Sequence, residues 1–322
     1  MRRLAVSALL ALVLAPSASA QPLLGVLGNP TRFQDLTGQR STVVEKVIGW
    51  NQGYTWGSSF GQLFATMGDV PLLGLTMDAK GSSAEAITPL AIARGGGDAY
   101  LVALNSAIAT WGRRIYVRPF FEADGFWSTY CAFTRAGRSK GPAHSTAAFR
   151  KAFARTYLIL HGGPVAGING ALRRLGMPPL QAGGGNLPAN AVPRLKVIWN
   201  PQAYAVPELA ANQPERYWPG GAYVDVVGND IYGEPRIKWA EQEAYYRRYA
   251  GKPFAIPEWG LWGRDDPAYI RDMARFARTH RRLELLVYVN GKPGSLFDLA
   301  SRPQSRAAYR SLITHSARNH HR

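Results

Sequence analysis

Two stretches of this chain, 136 residues apart, each end an apolar run on a lone glutamate among aromatic rings. The first reads IYVRPFFEADGFW, Ile115 to Trp127, and carries Glu122; the second reads KPFAIPEWGLW, Lys252 to Trp262, and carries Glu258. In the first, β-branched and aromatic residues stop at Arg118-Pro119, which places a buried strand there and a loop after it. A strand end that hands a carboxyl to a loop is a place for an acid catalyst. Cleaving a glycosidic bond takes two carboxyl groups facing one bond, a proton donor and a nucleophile or base. Tryptophan and tyrosine faces suit the apolar faces of sugar rings, so this pairing of residue types points to sugar chemistry.

Such a pair needs a frame that brings distant strand ends together. Apolar runs place strands at Leu23 to Leu27, within Val43 to Trp50, and at Val70 to Met77, Ile115 to Pro119, Leu195 to Trp199, Tyr223 to Gly228, Pro253 to Ile256 and Leu283 to Val289. Helical spacing predicts helices at Ser58 to Met67, from a cap at Asp98 to about Thr110, Phe149 to His161, Trp239 to Tyr249 and Pro267 to Thr279, with a further piece near Ala166 to Leu175. The segment Gly28 to Thr42 reads as a loop, and Gly162 to Pro193 as a long Gly/Pro-rich connection. Eight strands alternating with helices predict an α/β chain folded as a single (β/α)8 TIM barrel, whose chemistry sits at the strand C-terminal ends. Trp50, Glu122, Asn200, Asp230, Glu258 and Asn290 all fall there. A doubly wound open sheet shares the alternation but calls for a phosphate motif at its switch point.

At these residues the chain resembles glycoside hydrolase family 26, the β-mannanase-containing family within the clan of retaining barrels with catalytic glutamates at strands four and seven. The motif stands here as Arg118-Pro119-Phe120-Phe121-Glu122-Ala123-Asp124-Gly125-Phe126-Trp127. The resemblance implies that Glu122 is the acid/base. Glu258-Trp259-Gly260 is similar to the strand-seven motif and implies the nucleophile, and Val224 to Tyr232 is similar to the strand-six segment, which implies that the Tyr232 hydroxyl bonds the nucleophile. Position 121 is Phe where the family has His and the wider clan usually Asn. The expected activity is double-displacement hydrolysis of a β-linked polysaccharide, endo-β-1,4-mannanase-like, with Arg118, Trp127, Tyr232, Trp259, Trp262, Asp230, Asn200 and Trp50 as substrate-side residues. Phe121 leaves room for a catalytically impaired, carbohydrate-binding barrel.

A third reading comes from Gly57-Ser58-Ser59-Phe60-Gly61, which matches G-x-S-x-G with Ser59 as nucleophile. A nucleophile elbow follows a strand directly, whereas Asn51 to Trp56 is a polar loop, which weakens a serine hydrolase. Gly95-Gly96-Gly97 lacks nucleotide spacing and a following Lys, and reads as a flexible loop.

Residues 1–20 carry Arg2-Arg3, the apolar run Leu4 to Ala15, and Ala18-Ser19-Ala20. That is the pattern of a secretory signal cleaved before Gln21, the run being shorter than the about 20 apolar residues a membrane span needs. A secreted or periplasmic protein follows, with no further spanning segment. Removal leaves 302 of the 322 residues, enough for one domain with a basic C-terminal tail from Arg302. The formal charge of +17, less the two leader arginines, leaves +15, a field suited to an anionic glycan or envelope surface. No nucleic-acid motif accompanies it, and no nucleic-acid partner is expected. The single cysteine, Cys131, excludes an intramolecular disulfide and reads as a small buried hydrophobe. No cofactor or metal is expected, and the expected state is a monomer.

Overall fold

The computed structural model describes residues 21–79, 84–234 and 237–315, so the expected leader at 1–20 and the last seven residues lie outside the described residues. The strands are β1 (Leu23–Leu27), β2 (Val43–Ile48), β3 (Val70–Leu75), β4 (Ile115–Pro119), β5 (Leu195–Trp199), β6 (Val226–Gly228), β7 (Ile231–Gly233), β8 (Phe254–Leu261) and β9 (Leu283–Val289). The helices are α1 (Pro30–Thr37), α2 (Phe60–Ala65), α3 (Pro89–Ala93), α4 (Asp98–Trp111), α5 (Thr146–His161), α6 (Val165–Arg174), α7 (Trp239–Arg248), α8 (Pro267–Thr279) and α9 (Pro303–Tyr309).

All strand pairings are parallel, in the order β6-β5-β4-β3-β2-β1-β9-β8, and β6 pairs with β8 to close the ring. The short β7 pairs with the far end of β8, so β6 and β7 are one stave broken at Asn229-Asp230. Eight staves make the (β/α)8 barrel that the alternation predicts. Inside it, Val43, Leu72, Tyr116, Ile198, Val226, Ala255, Leu285 and Val287 form a packed apolar plug. A larger cluster lies between the staves and the helices. The plug matters for function because it separates the two mouths of the barrel.

Several elements differ from the sequence reading. β8 runs past Ile256 to Leu261, so Glu258 lies inside a strand rather than beyond its end. Between Ile256 and Trp259 its register against β9 slips, Ile256 opposite Leu286 and Trp259 opposite Tyr288. Pro257 cannot donate to the ladder, and the resulting bulge re-aims the glutamate. The supposed loop from Gly28 contains α1, started by the Asn29 side chain accepting from the Arg32 amide, with Pro30 in the first turn. Asp98 is not a cap: it is buried and forms a two-pronged pair with Arg155, Nε to Oδ1 at 2.6 Å and Nη2 to Oδ2 at 2.5 Å, which pins α4 to α5. Gly95 to Gly97 are packed rather than loose, since a Cβ at Gly97 would stand 2.7 Å from the Trp50 ring. The basic tail folds in part, with α9 placing Tyr309 in the core against Trp259 and its hydroxyl 2.7 Å from Gln39 Oε1.

Candidate active site

Arg118 is the pivot of the barrel mouth. Alternation along β4 puts Tyr116 in the plug and Arg118 one layer higher, where the guanidinium is fully buried. Its Nη1 donates to Glu45 Oε1 at 2.7 Å and to Glu258 Oε1 at 2.9 Å, and its Nη2 donates to Asp230 Oδ2 at 2.6 Å. The Phe121 ring lies over the guanidinium carbon at 3.8 Å. Gly74 on β3 leaves the room: a Cβ there would be 3.2 Å from Phe121 and 3.5 Å from Glu45 Oε1. β2, β4, β8 and the break between β6 and β7 therefore deliver one cation and three carboxyl groups to one point.

Glu258 has both oxygens engaged, one by Arg118 and the other by the Tyr232 hydroxyl, while its amide donates to Asp230 Oδ1 at 3.1 Å. Burial, with Glu258 beside it, holds the Tyr232 phenol well above its ordinary range, so it remains a donor. A cation and a hydroxyl donor on two oxygens suit a carboxylate that attacks rather than one that gives up a proton.

Glu122 sits in contrasting surroundings. The backbone turns left-handed at Phe120, φ 56°, and again at Glu122, φ 53°, a conformation that costs a non-glycine residue roughly 1–2 kcal/mol. The Glu122 amide is tied to the Asn200 carbonyl at 2.7 Å, and the double twist presents its carboxyl to the mouth. There Trp127 Nε1 donates to Oε2 at 2.6 Å, and the Gln202 amide donates to Oε1. Both donors are neutral. Burial, and after it the charge of Glu258, pushes Glu122 from 4.5 up to about 7. Burial likewise raises Glu45 to about 8 and moves Asp230 well above the carboxylate range.

These groups line a cleft of about 510 Å³ with Trp127, Trp262, Phe297 and Tyr204. Trp127 and Trp262 are 47% and 39% exposed, the condition of rings free to meet a ligand. A Cβ at Gly125 would collide with the Trp127 ring, which explains the glycine two residues before it. Among the described residues the cleft lining contains four acids, Glu122, Asp230, Glu234 and Glu258, and no lysine or arginine.

Of the residues expected from the sequence, the structure brings Glu122, Glu258, Trp127, Tyr232, Asp230 and Trp262 into one cleft. The other four are corrected. Trp50 is 4% exposed and packs on Tyr100 and Phe120, and Trp259 is fully buried between Tyr288 and Tyr309, because the outward positions of β8 face the helices. Arg118 lies beneath the cleft and holds Glu258 rather than substrate. Asn200 is buried and donates to Asp230 Oδ2 at 3.1 Å. Ser59 caps α2 in a capping box with Gln62. The hollow beside it is lined by no histidine or carboxylate. Phe120 is core, so of the two phenylalanines before Glu122 only Phe121 reaches the polar cluster. Cys131 is buried.

Three contributors escape the sequence reading: Glu45, Gln202 and Asp124. Glu45 had a signal, a lone acid at an inward position of VVEKVI. Gln202 had none, since its placement depends on its own amide donating to the buried Asp124 Oδ1 at 2.8 Å. Among the described residues no group of acids, histidines and cysteines could hold a metal. No described helix is long and apolar enough to cross a membrane.

The architecture is that of the family 26 mannanases. A Bacillus subtilis mannanase superposes with TM-score 0.56 at 14% identity, over 91% of this chain and 85% of that one. GH26A from Muricauda sp. MAR_2010_75 gives 0.54 at 16%, over 90% and 89%. The β-mannanase BoMan26A of Bacteroides ovatus gives 0.52 at 16%, over 90% and 89%. No family model matches the chain, and no curated protein matches it. At this identity the likeness is one of fold, and the chemistry has to be argued from the cleft itself.

Proposed function

We propose that the protein is an exported retaining glycoside hydrolase acting on a neutral β-linked polysaccharide, with β-1,4-mannan the first candidate. The observation that carries this reading is the contrast between its two carboxyl groups, Glu122 raised to about 7 among neutral donors and Glu258 held by Arg118 and Tyr232. A carboxyl raised among neutral donors suits the proton donor, and one whose oxygens are held by a cation and a hydroxyl suits the nucleophile. Glu122 protonates the glycosidic oxygen while Glu258 attacks the anomeric carbon, forming a glycosyl-enzyme and releasing the first sugar. Glu122, now ionised, takes a proton from water as the water displaces Glu258. Retention requires the carboxyl groups roughly 5–5.5 Å apart, which leaves no space for a water between nucleophile and sugar.

Substrate charge follows from the lining. Acids line the cleft and the Arg118 guanidinium beneath it is already shared among Glu45, Asp230 and Glu258, which disfavours an acidic chain, and two exposed tryptophans favour stacked sugar rings, so the general positive charge of the protein serves another purpose. Mannan is preferred over other neutral β-glycans because the solved structures sharing this fold include mannanases. Phe121 supplies a ring over Arg118 instead of a hydrogen bond, and in the charge cluster under the cleft Arg118 Nε and Glu45 Oε2 are buried without a hydrogen-bond partner among the described residues.

The test is a panel of purified mannan, glucan, xylan and polygalacturonate incubated with wild type and Glu258→Ala, products profiled by size. The reading expects new oligosaccharides from a neutral β-glycan with wild type alone. Hydrolysis retained by Glu258→Ala defeats it.

A further inference from the structure

The opposite mouth of the barrel, where the strands begin, holds a second hollow of about 520 Å³ that the hydrolytic reading does not use. Arg114, Lys196, Lys252, Arg281 and Arg282 line it, with Glu284 as the single acid among the described residues. The sources of this charge are structural in part. Lys252 Nζ donates to the carbonyls of Gly221 and Val224, and Arg282 donates to those of Tyr246, Tyr249 and Lys252. Carbonyl dipoles orient these cations without neutralising them. Glu284, the extra residue at a register slip of β9, is taken up by Lys196 at 2.5 Å and by the Tyr116 hydroxyl at 3.1 Å. Arg114 and Arg281 are exposed and have no carboxylate partner among the described residues. Five cations thus face one acid that is already paired, and two planar guanidinium forks stand open.

We infer that this basal hollow is an anion-binding site for a uronate-bearing glycan, which would hold the protein on an acidic polysaccharide while the far mouth works on a neutral one. Paired guanidinium groups match a carboxylate in two-pronged geometry. The hollow has the capacity of the cleft above, about 520 against 510 Å³, enough for sugar units rather than a lone ion. Leu23, Pro253 and Leu283 add apolar wall for a ring face. A lipid surface fits less well, since interfacial binding buries protruding apolar and aromatic side chains. The lining here is concave, and its one aromatic ring, Tyr116, is 1% exposed. The apolar plug keeps this site separate from the cleft, so the inference does not depend on which bond the cleft cleaves.

The experiment measures binding of galacturonate oligosaccharides to the purified protein by titration calorimetry, with manno-oligosaccharides, inorganic phosphate and vesicles of anionic phospholipid as parallel probes. Wild type is expected to bind the uronates and to release them near 1 M salt, where charge interactions are screened within about 3 Å. Arg114→Ala with Arg281→Ala is expected to weaken uronate binding roughly threefold to thirtyfold, with hydrolysis in the cleft unchanged. Arg271→Ala with Arg278→Ala removes the same charge from the exposed face of α8 and is expected to leave binding intact. Equal losses in the two double variants would show diffuse attraction and overturn the site. So would phosphate or vesicles binding through Arg114 and Arg281 as well as the uronates do.

Discussion

Where its strands finish, the barrel gathers Glu122, Asp230, Glu234 and Glu258 around exposed tryptophans; where they start, it gathers Arg114, Lys196, Lys252, Arg281 and Arg282 around a single acid. The two hollows are of similar size, yet they differ in how charge is treated. At the acidic mouth the charges are buried, shared and pointed at one another, with Arg118 serving three carboxyl groups at once. Shared burial shifts proton affinities, and shifted proton affinities are what acid–base chemistry needs. At the basic mouth the cations other than Lys196, which is paired with Glu284, lean on neutral carbonyls or face water, which leaves their charge available for attraction and not for proton transfer. The protein's +17 formal charge therefore says nothing about its cleft.

Substitutions at the two mouths should differ accordingly. The largest effect is expected at Glu258, where alanine should cost about 10⁴-fold or more in kcat. Glu122→Gln should cost about 10²- to 10⁴-fold. It should also erase the alkaline limb of the pH profile. Glu122 works as the protonated acid and sits at about 7, so wild-type activity should fall as pH rises through that value. Tyr232→Phe removes one hydrogen bond to a charged oxygen, worth about 1.5–3 kcal/mol, and should lower kcat/KM roughly 10- to 100-fold. Equal losses at Tyr232 and at a basal arginine would erase the distinction between the mouths.

Glu45→Gln sharpens the comparison with a small effect on activity and a visible one on stability. A carboxyl at 4.5 unfolded and about 8 folded keeps its proton in the folded state while the unfolded chain loses it. Wild-type stability should therefore decline between about pH 4.5 and 8 through this residue, and the glutamine variant should show a shallower decline in denaturant titrations. A slope unchanged by the substitution would place the proton elsewhere in the cluster.

Much of the frame was legible because barrel strands announce themselves. Leu23–Leu27, Ile115–Pro119, Leu195–Trp199 and Leu283–Val289 are largely apolar runs, and their expected limits stand unchanged. The broken stave was harder, since Asn229-Asp230 interrupts the apolar pattern where the strand turns to serve the site. α1 hid behind polar composition, with only its cap and Pro30 to mark it. At the site, Glu122 and Glu258 were readable as lone acids at the close of apolar runs. Tryptophans were readable as a set but not individually: whether Trp259 or Trp262 meets the cleft is decided by the β8 bulge, which no local pattern displays. Glu45 and Gln202 belong to the site through partners 73 and 80 residues away, distances over which a sequence shows no contact.

The most direct test of the central claim, a nucleophilic Glu258 paired with an acidic Glu122, is the anomeric configuration of the reducing end newly formed when water frees the sugar from Glu258. Proton NMR during the opening minutes of hydrolysis, on whichever neutral β-glycan the panel shows to be cleaved, resolves the new reducing end before mutarotation. The account expects the β-anomer to appear first; an initial α-anomer would mean single displacement by water and would contradict it.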